Sequence, residues 1–151
     1  MQIFSEHLSS SAMMTEELGA TLARVMLDDK EIPNFIALYG DLGVGKTAFV
    51  RGYASVISPG STVKSPTFSL VNEYRGEGQS LFHFDMYRIS DTDELYAIGF
   101  YDYLDRRGVC LVEWSENIEE DLPDKYIKVN IQKNSYDDPD SRVISIERIG
   151  F

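Results

Sequence analysis

A chain of 151 residues, 43% hydrophobic and 26% charged, is long enough to bury a core unaided and is expected to form one domain spanning 1–151. Its formal net charge of −11, from 14 basic and 25 acidic residues, disfavours a broad grip on nucleic acid, which needs clustered Lys and Arg to displace counterions. No apolar run reaches bilayer-spanning length, the opening MQIFSEHLSS lacks signal-peptide character, and the single Cys110 has no intrachain partner. A cytoplasmic, reducing address without a membrane partner is expected.

Along the chain, residues 15–27 place Leu18, Leu22, Val25 and Met26 on one helical face, with Glu16 and Glu17 expected in the first turn. FIALY, residues 35–39, is a continuous apolar run suited to a strand buried on both faces. A glycine-rich loop follows, then helical sequence over 46–57, ended by SPG. TFSLVNEY (67–74) and SLFHFD (80–85) flank RGEGQ and predict a hairpin. In DTDEL, Asp91 and Glu94 form a capping-box pattern that opens a helix. The run 109–114, VCLVEW, is a second buried strand, and YIKVNIQ and RVISIER alternate apolar and polar residues around NSYDDPD, predicting a closing hairpin. Strands alternating with helices and interrupted by hairpins indicate a three-layer α/β domain with a mixed central sheet.

The loop LYGDLGVGKTAFV, residues 38–50, carries G-x-x-x-x-G-K-T from Gly40 to Thr47. Its glycines let the backbone curl until successive N–H groups face an anion, and the following helix adds its free donors and positive dipole end. Lys46 supplies a mobile charge for the β- and γ-phosphates and Thr47 a hydroxyl for Mg²⁺. A chance match arises roughly once in a few hundred chains of this length, and the flanking strand and helix narrow it further.

A hydrated magnesium needs a further acid, usually at the end of a neighbouring strand. Glu113 closes the uniformly apolar VCLV and is the favoured metal ligand; Asp85 closes the less apolar LFHF. The N-K-x-D signature of guanine specificity is absent from the sequence, so ATP is the expected nucleotide. DRRG, residues 105–108, follows YDYL and reads as a helix-ending turn. In SPTF (65–68), Pro66 stiffens an extended entry, from which Thr67 could address the γ-phosphate or the metal. Trp114, beside Glu113, fits either the core or the nucleotide's vicinity. His7 and His83 have no companions at metal-ligand spacing.

GDLGVGKT, SPTFSLVNEY, FHFDMYRI and VCLVEW, in this order and spacing, resemble the TsaE family, formerly YjeE, over about residues 18–114. The resemblance implies a P-loop NTPase-like fold with a mostly parallel central sheet plus antiparallel hairpins. It also implies an ATPase of the bacterial tRNA threonylcarbamoyladenosine machinery. Asp41, Leu42, Gly43, Val44, Gly45, Lys46 and Thr47 would then cradle ATP, with Thr47 and Glu113 as Mg²⁺ ligands. Asp85 would be an essential acid, Thr67 a switch-like residue, Trp114 a neighbour of the nucleotide and Ser11 a contact of the adenine. Family members bind a heterodimer of TsaD and TsaB and reset it by ATP hydrolysis, touching tRNA only through that complex.

The motifs contain no arginine finger and no water-orienting glutamine, so slow intrinsic hydrolysis completed by partner docking is expected. The rival reading is a small-molecule phosphotransferase built on the same loop. It would need an arginine-rich lid, and Arg106 and Arg107 are the only adjacent arginines.

Overall fold

The computed structural model describes residues 2–41, 43–67, 69–134 and 138–151; Leu42 of the glycine loop, Phe68 of SPTF and residues 135–137 of the last hairpin lie outside this description. Its strands, β1 (Glu6–Ser9), β2 (Phe35–Tyr39), β3 (Val71–Arg75), β4 (Ser80–Asp85), β5 (Gly108–Glu113), β6 (Tyr126–Lys133) and β7 (Arg142–Ile149), form one sheet ordered β1-β7-β6-β2-β5-β4-β3. The central β6, β2, β5 and β4 run parallel, while β3 and the β7–β1 pair join antiparallel at the two edges.

Helices α1 (Ala12–Asp28) and α2 (Lys46–Ile57) cover one face. Ile36, Leu38, Leu81, Val109, Leu111, Val129 and Ile144 of the sheet meet Leu18, Leu22, Phe49 and Tyr53 there. The shorter α3 (Thr92–Ala97) and α4 (Phe100–Leu104) cover the other face, where Phe35, Ala37, Phe82, Phe84, Cys110 and Val112 pack on Leu95 and Phe100. Two-residue alternation along each strand divides the side chains between these layers. β2 and β5 are buried at every position, as their unbroken apolar runs require. In β6, buried Ile127, Val129 and Ile131 alternate with partly exposed Tyr126, Lys128 and Asn130, the period-two pattern of a strand with one fully covered face.

α1 and α2 cross closely enough that a Cβ on Gly52 would lie 1.8 Å from the Glu16 carbonyl oxygen; bare backbone lets these helices touch. Helix α1 begins three residues before the expected start. Ser11 is its N-cap, its hydroxyl accepting the Met14 N–H at 3.1 Å, a bond worth about 1 kcal/mol. Glu16 and Glu17 consequently sit in the second turn. Strand β3 begins at Val71 and not at Thr67, since the preceding residues close a turn with Leu70 N–H donating to the Pro66 carbonyl at 2.7 Å. The Asp91 cap forms as expected, accepting the Glu94 N–H at 3.0 Å. Strand β1 went unpredicted: four residues on an edge carry no periodic signal, and pairing with β7 creates it.

Candidate functional site

The loop between β2 and α2 depends on backbone conformations that glycine tolerates. Gly43 and Gly45 have φ of 77° and 106°, and among the described residues a Cβ at either would meet nothing within 4 Å; left-handed geometry demands glycine there. Such residues turn consecutive N–H groups toward one side, forming an anion nest. Helix α2 starts at Lys46 without a side-chain cap, leaving its first N–H groups and its positive dipole end for a ligand.

Gly43, Gly45, Lys46, Thr47, Ser65, Thr67, Asp85, Glu113 and Trp114 line one cleft of about 350 Å³. Asp85 and Glu113 end adjacent parallel strands in register and share the face that carries Leu81 and Leu111, the side of α2. Lys46, Asp85 and Glu113 are each at most 6% exposed, a degree of burial that charged side chains reach only with partners or a function.

Lys46 Nζ donates to the Gly40 carbonyl at 2.6 Å and stands 4.1 Å from the centroid of the Trp114 ring. Burial pushes its ammonium below the usual lysine range, and the nearby Glu113, Glu116, Asp85 and Asp41 pull in the opposite direction. Burial likewise raises the Glu116 carboxyl.

The SPTF segment reaches this cleft. Ser65 and Thr67 hydroxyls are 2.7 Å apart, and Thr67 Oγ1 donates to Asp85 Oδ2 at 3.4 Å. Asp85 Oδ1 accepts the Tyr87 N–H at 2.9 Å, which fixes the carboxylate. Leu70 and Trp114 have left-handed φ of 68° and 57°, a conformation held by no other non-glycine residue among those described. Each adjoins an acid: the Leu70 carbonyl accepts the Asp85 N–H at 3.0 Å, and Trp114 follows Glu113. Such strain costs about 1–3 kcal/mol per residue and collects at functional sites. It also explains why β5 stops at Glu113, one residue short of the expected end.

Two participants escaped the sequence reading. His83 is fully buried, its Nε2 bonded to Glu113 Oε2 and its Nδ1 without a hydrogen-bond partner among the described residues. The alternation in SLFHFD puts Leu81, His83 and Asp85 on one face, but metal-ligand spacing was the wrong criterion for an imidazole that meets a carboxylate across strands. Arg142, at the start of β7, donates from Nε to the Val44 carbonyl at 2.7 Å, a contact spanning 98 positions that no local motif announces.

Asp41 and Val44 border a neighbouring groove of about 420 Å³ with Glu116 and Lys133. Ser11 is not among the residues lining either depression; its hydroxyl is engaged in capping α1. Among the described residues no group of three or more His, Cys, Asp or Glu could by itself hold a metal ion. The cleft offers the Thr47 hydroxyl and the Asp85 and Glu113 carboxylates, hard oxygen donors of the kind magnesium takes together with substrate phosphates.

The sheet order, the nest at the β2–α2 junction and the acids on adjacent parallel strands define a P-loop domain of the NTPase type. A profile of the family described as threonylcarbamoyl adenosine biosynthesis protein TsaE matches residues 9–144, and the chain belongs to that family. It is 46% identical over 121 residues to the tRNA threonylcarbamoyladenosine biosynthesis protein TsaE of Haemophilus influenzae, covering 80% of this chain and 75% of that one. The Bacillus subtilis protein of the same name is 38% identical over 76% of this chain and 70% of its own. A crystal structure of Bacillus subtilis YdiB superimposes with a TM-score of 0.73 at 30% identity, covering 96% of this chain and 85% of that one.

Proposed function

We propose that this protein binds ATP with Mg²⁺ and hydrolyses it slowly, as an accessory subunit that acts on the TsaD–TsaB heterodimer to permit repeated rounds of tRNA threonylcarbamoyladenosine formation. The observation that carries the reading is the convergence of the Gly43–Gly45 nest, Lys46, Thr47, Thr67, Asp85 and Glu113 on one cleft. The names of its relatives support the pathway. The acidic balance of the chain agrees with docking on protein while the partners hold the RNA.

In this reading the loop amides bind the phosphate tail, and Lys46 leaves the Gly40 carbonyl and the Trp114 face to reach the β- and γ-phosphates. Thr47 and Glu113 would hold the magnesium, which would supply positive charge toward the transferring oxygens. His83 keeps the Glu113 carboxylate oriented. Thr67, tethered to Asp85, couples the SPTF segment to the γ-phosphate end, where a water attacks in line. The partner supplies what this chain's motifs lack for fast turnover.

Phosphate release should be measured for the protein alone and with purified TsaD and TsaB. Slow release that rises on adding the pair supports the reading; fast release by the lone protein, or transfer to a small-molecule acceptor, counts against it.

A further inference from the structure

A nest that turns its N–H groups inward must present its carbonyl oxygens outward, and those oxygens need donors of their own. Arg142 provides them. Its Nε donates to Val44 O at 2.7 Å and its Nη2 approaches Gly43 O at 3.4 Å, while Nη1 donates to the carbonyls of Pro139 at 2.6 Å and Ser141 at 3.0 Å. All four acceptors are main-chain oxygens, and among the described residues no carboxylate forms a salt bridge with this guanidinium.

The Val44 carbonyl belongs to the same peptide unit as the Gly45 N–H, and the Gly43 carbonyl to that of the Val44 N–H. A cation on the oxygen end polarises each unit and strengthens its N–H as a donor. The fork also fixes the loop to a sheet position already held on both sides, since Arg142 pairs in register with Lys133 of β6 and Ser9 of β1.

We propose that Arg142 is a positioning residue for phosphate binding, clasping the outer face of the nest so that its amides are preorganised and electrostatically strengthened toward a polyphosphate; the proposal rests on the nucleotide reading of the same loop. Arg142 acts through the loop's main chain, with no contact to the reacting atoms.

The test titrates ATP with Mg²⁺, and separately inorganic tripolyphosphate, into the wild-type protein, Arg142→Gln and Arg142→Lys, and follows amide hydrogen exchange of residues 43–46 in the unliganded proteins. Arg142→Gln should bind both ligands about ten- to a hundredfold more weakly, the range expected for lost charge-assisted bonds. Its loop amides should exchange faster while those of β4 and β5 do not. Arg142→Lys keeps the charge without the fork and should recover only part of the affinity. Wild-type affinity for tripolyphosphate in Arg142→Gln overturns the proposal. So does full recovery by Arg142→Lys, which would reduce the effect to charge alone, or faster exchange throughout the sheet, which would reduce it to general destabilisation. If the wild-type protein binds neither ligand, the nucleotide reading fails, and the loop exchange of Arg142→Gln still decides whether the clasp exists.

Discussion

The imidazole of His83 meets the Glu113 carboxylate diagonally across β4 and β5, because His83 lies opposite Leu111 and Glu113 lies opposite Asp85. One strand therefore carries both a neighbouring acid and the group that orients its partner acid. Neutral apolar replacement separates these contributions. His83→Phe should leave Glu113 buried without its donor and lower stability by about 1–3 kcal/mol, read by urea denaturation. It should also weaken the magnesium dependence of nucleotide binding by about ten- to a hundredfold, the usual cost of losing an orienting partner of a metal ligand. Binding measured in EDTA should change much less.

The contact between Lys46 and Trp114 gives an optical prediction. Trp114 is the only tryptophan in the chain, and an ammonium 4.1 Å from its ring centroid would be withdrawn if the lysine turned to a phosphate. Addition of ATP should change the intrinsic fluorescence, and Lys46→Ala should abolish both binding and the change. An unaltered titration in Lys46→Ala would show that this side chain does not hold the phosphates.

Helix crossing gives a prediction independent of function. A methyl group at Gly52 would run into the main chain of Glu16 at 1.8 Å, and backbone cannot swing aside as a flexible side chain does. Gly52→Ala should destabilise the protein by about 1–3 kcal/mol despite alanine's better helix propensity, measured by thermal or chemical unfolding. Equal or greater stability would mean that α1 and α2 separate easily.

Cys110 should resist thiol reagents at neutral pH in the folded state, since burial pushes its thiol up to about 12 and only the thiolate reacts. Between the ordinary value of 9.0 and that raised value the unfolded chain has lost a proton that the folded chain keeps. The cysteine's contribution to stability is thus intact below about pH 9 and declines as pH rises through this window, by up to about 1.4 kcal/mol per pH unit. Unfolding free energies at pH 8 and 10 should differ less in Cys110→Ala than in the wild type.

What could be read in advance followed the range of the interactions. FIALY and the helix after it are set by local pattern, and both elements occupy their expected residues. The nest was legible because glycine, lysine and threonine act within eight positions. Asp85 and Glu113 were visible as acids ending strands, but their adjacency belongs to sheet order, which no local spacing encodes. His83 and Arg142 were missed for the same reason. Each acts across strands on a partner distant in sequence, and each was outwardly ordinary: a histidine in an apolar run, an arginine opening a hairpin strand.

The register that sets Asp85 beside Glu113 also limits how this chain can vary in length. Deleting one residue within 80–85 or 108–113 would rotate every later side chain of that strand to the opposite layer, burying an acid in the layer of Phe100 and offering Phe84 or Val112 to the cleft. Length changes that spare activity should therefore fall in the turn around Glu77 and Gly78, where an added residue shifts no side chain at the site.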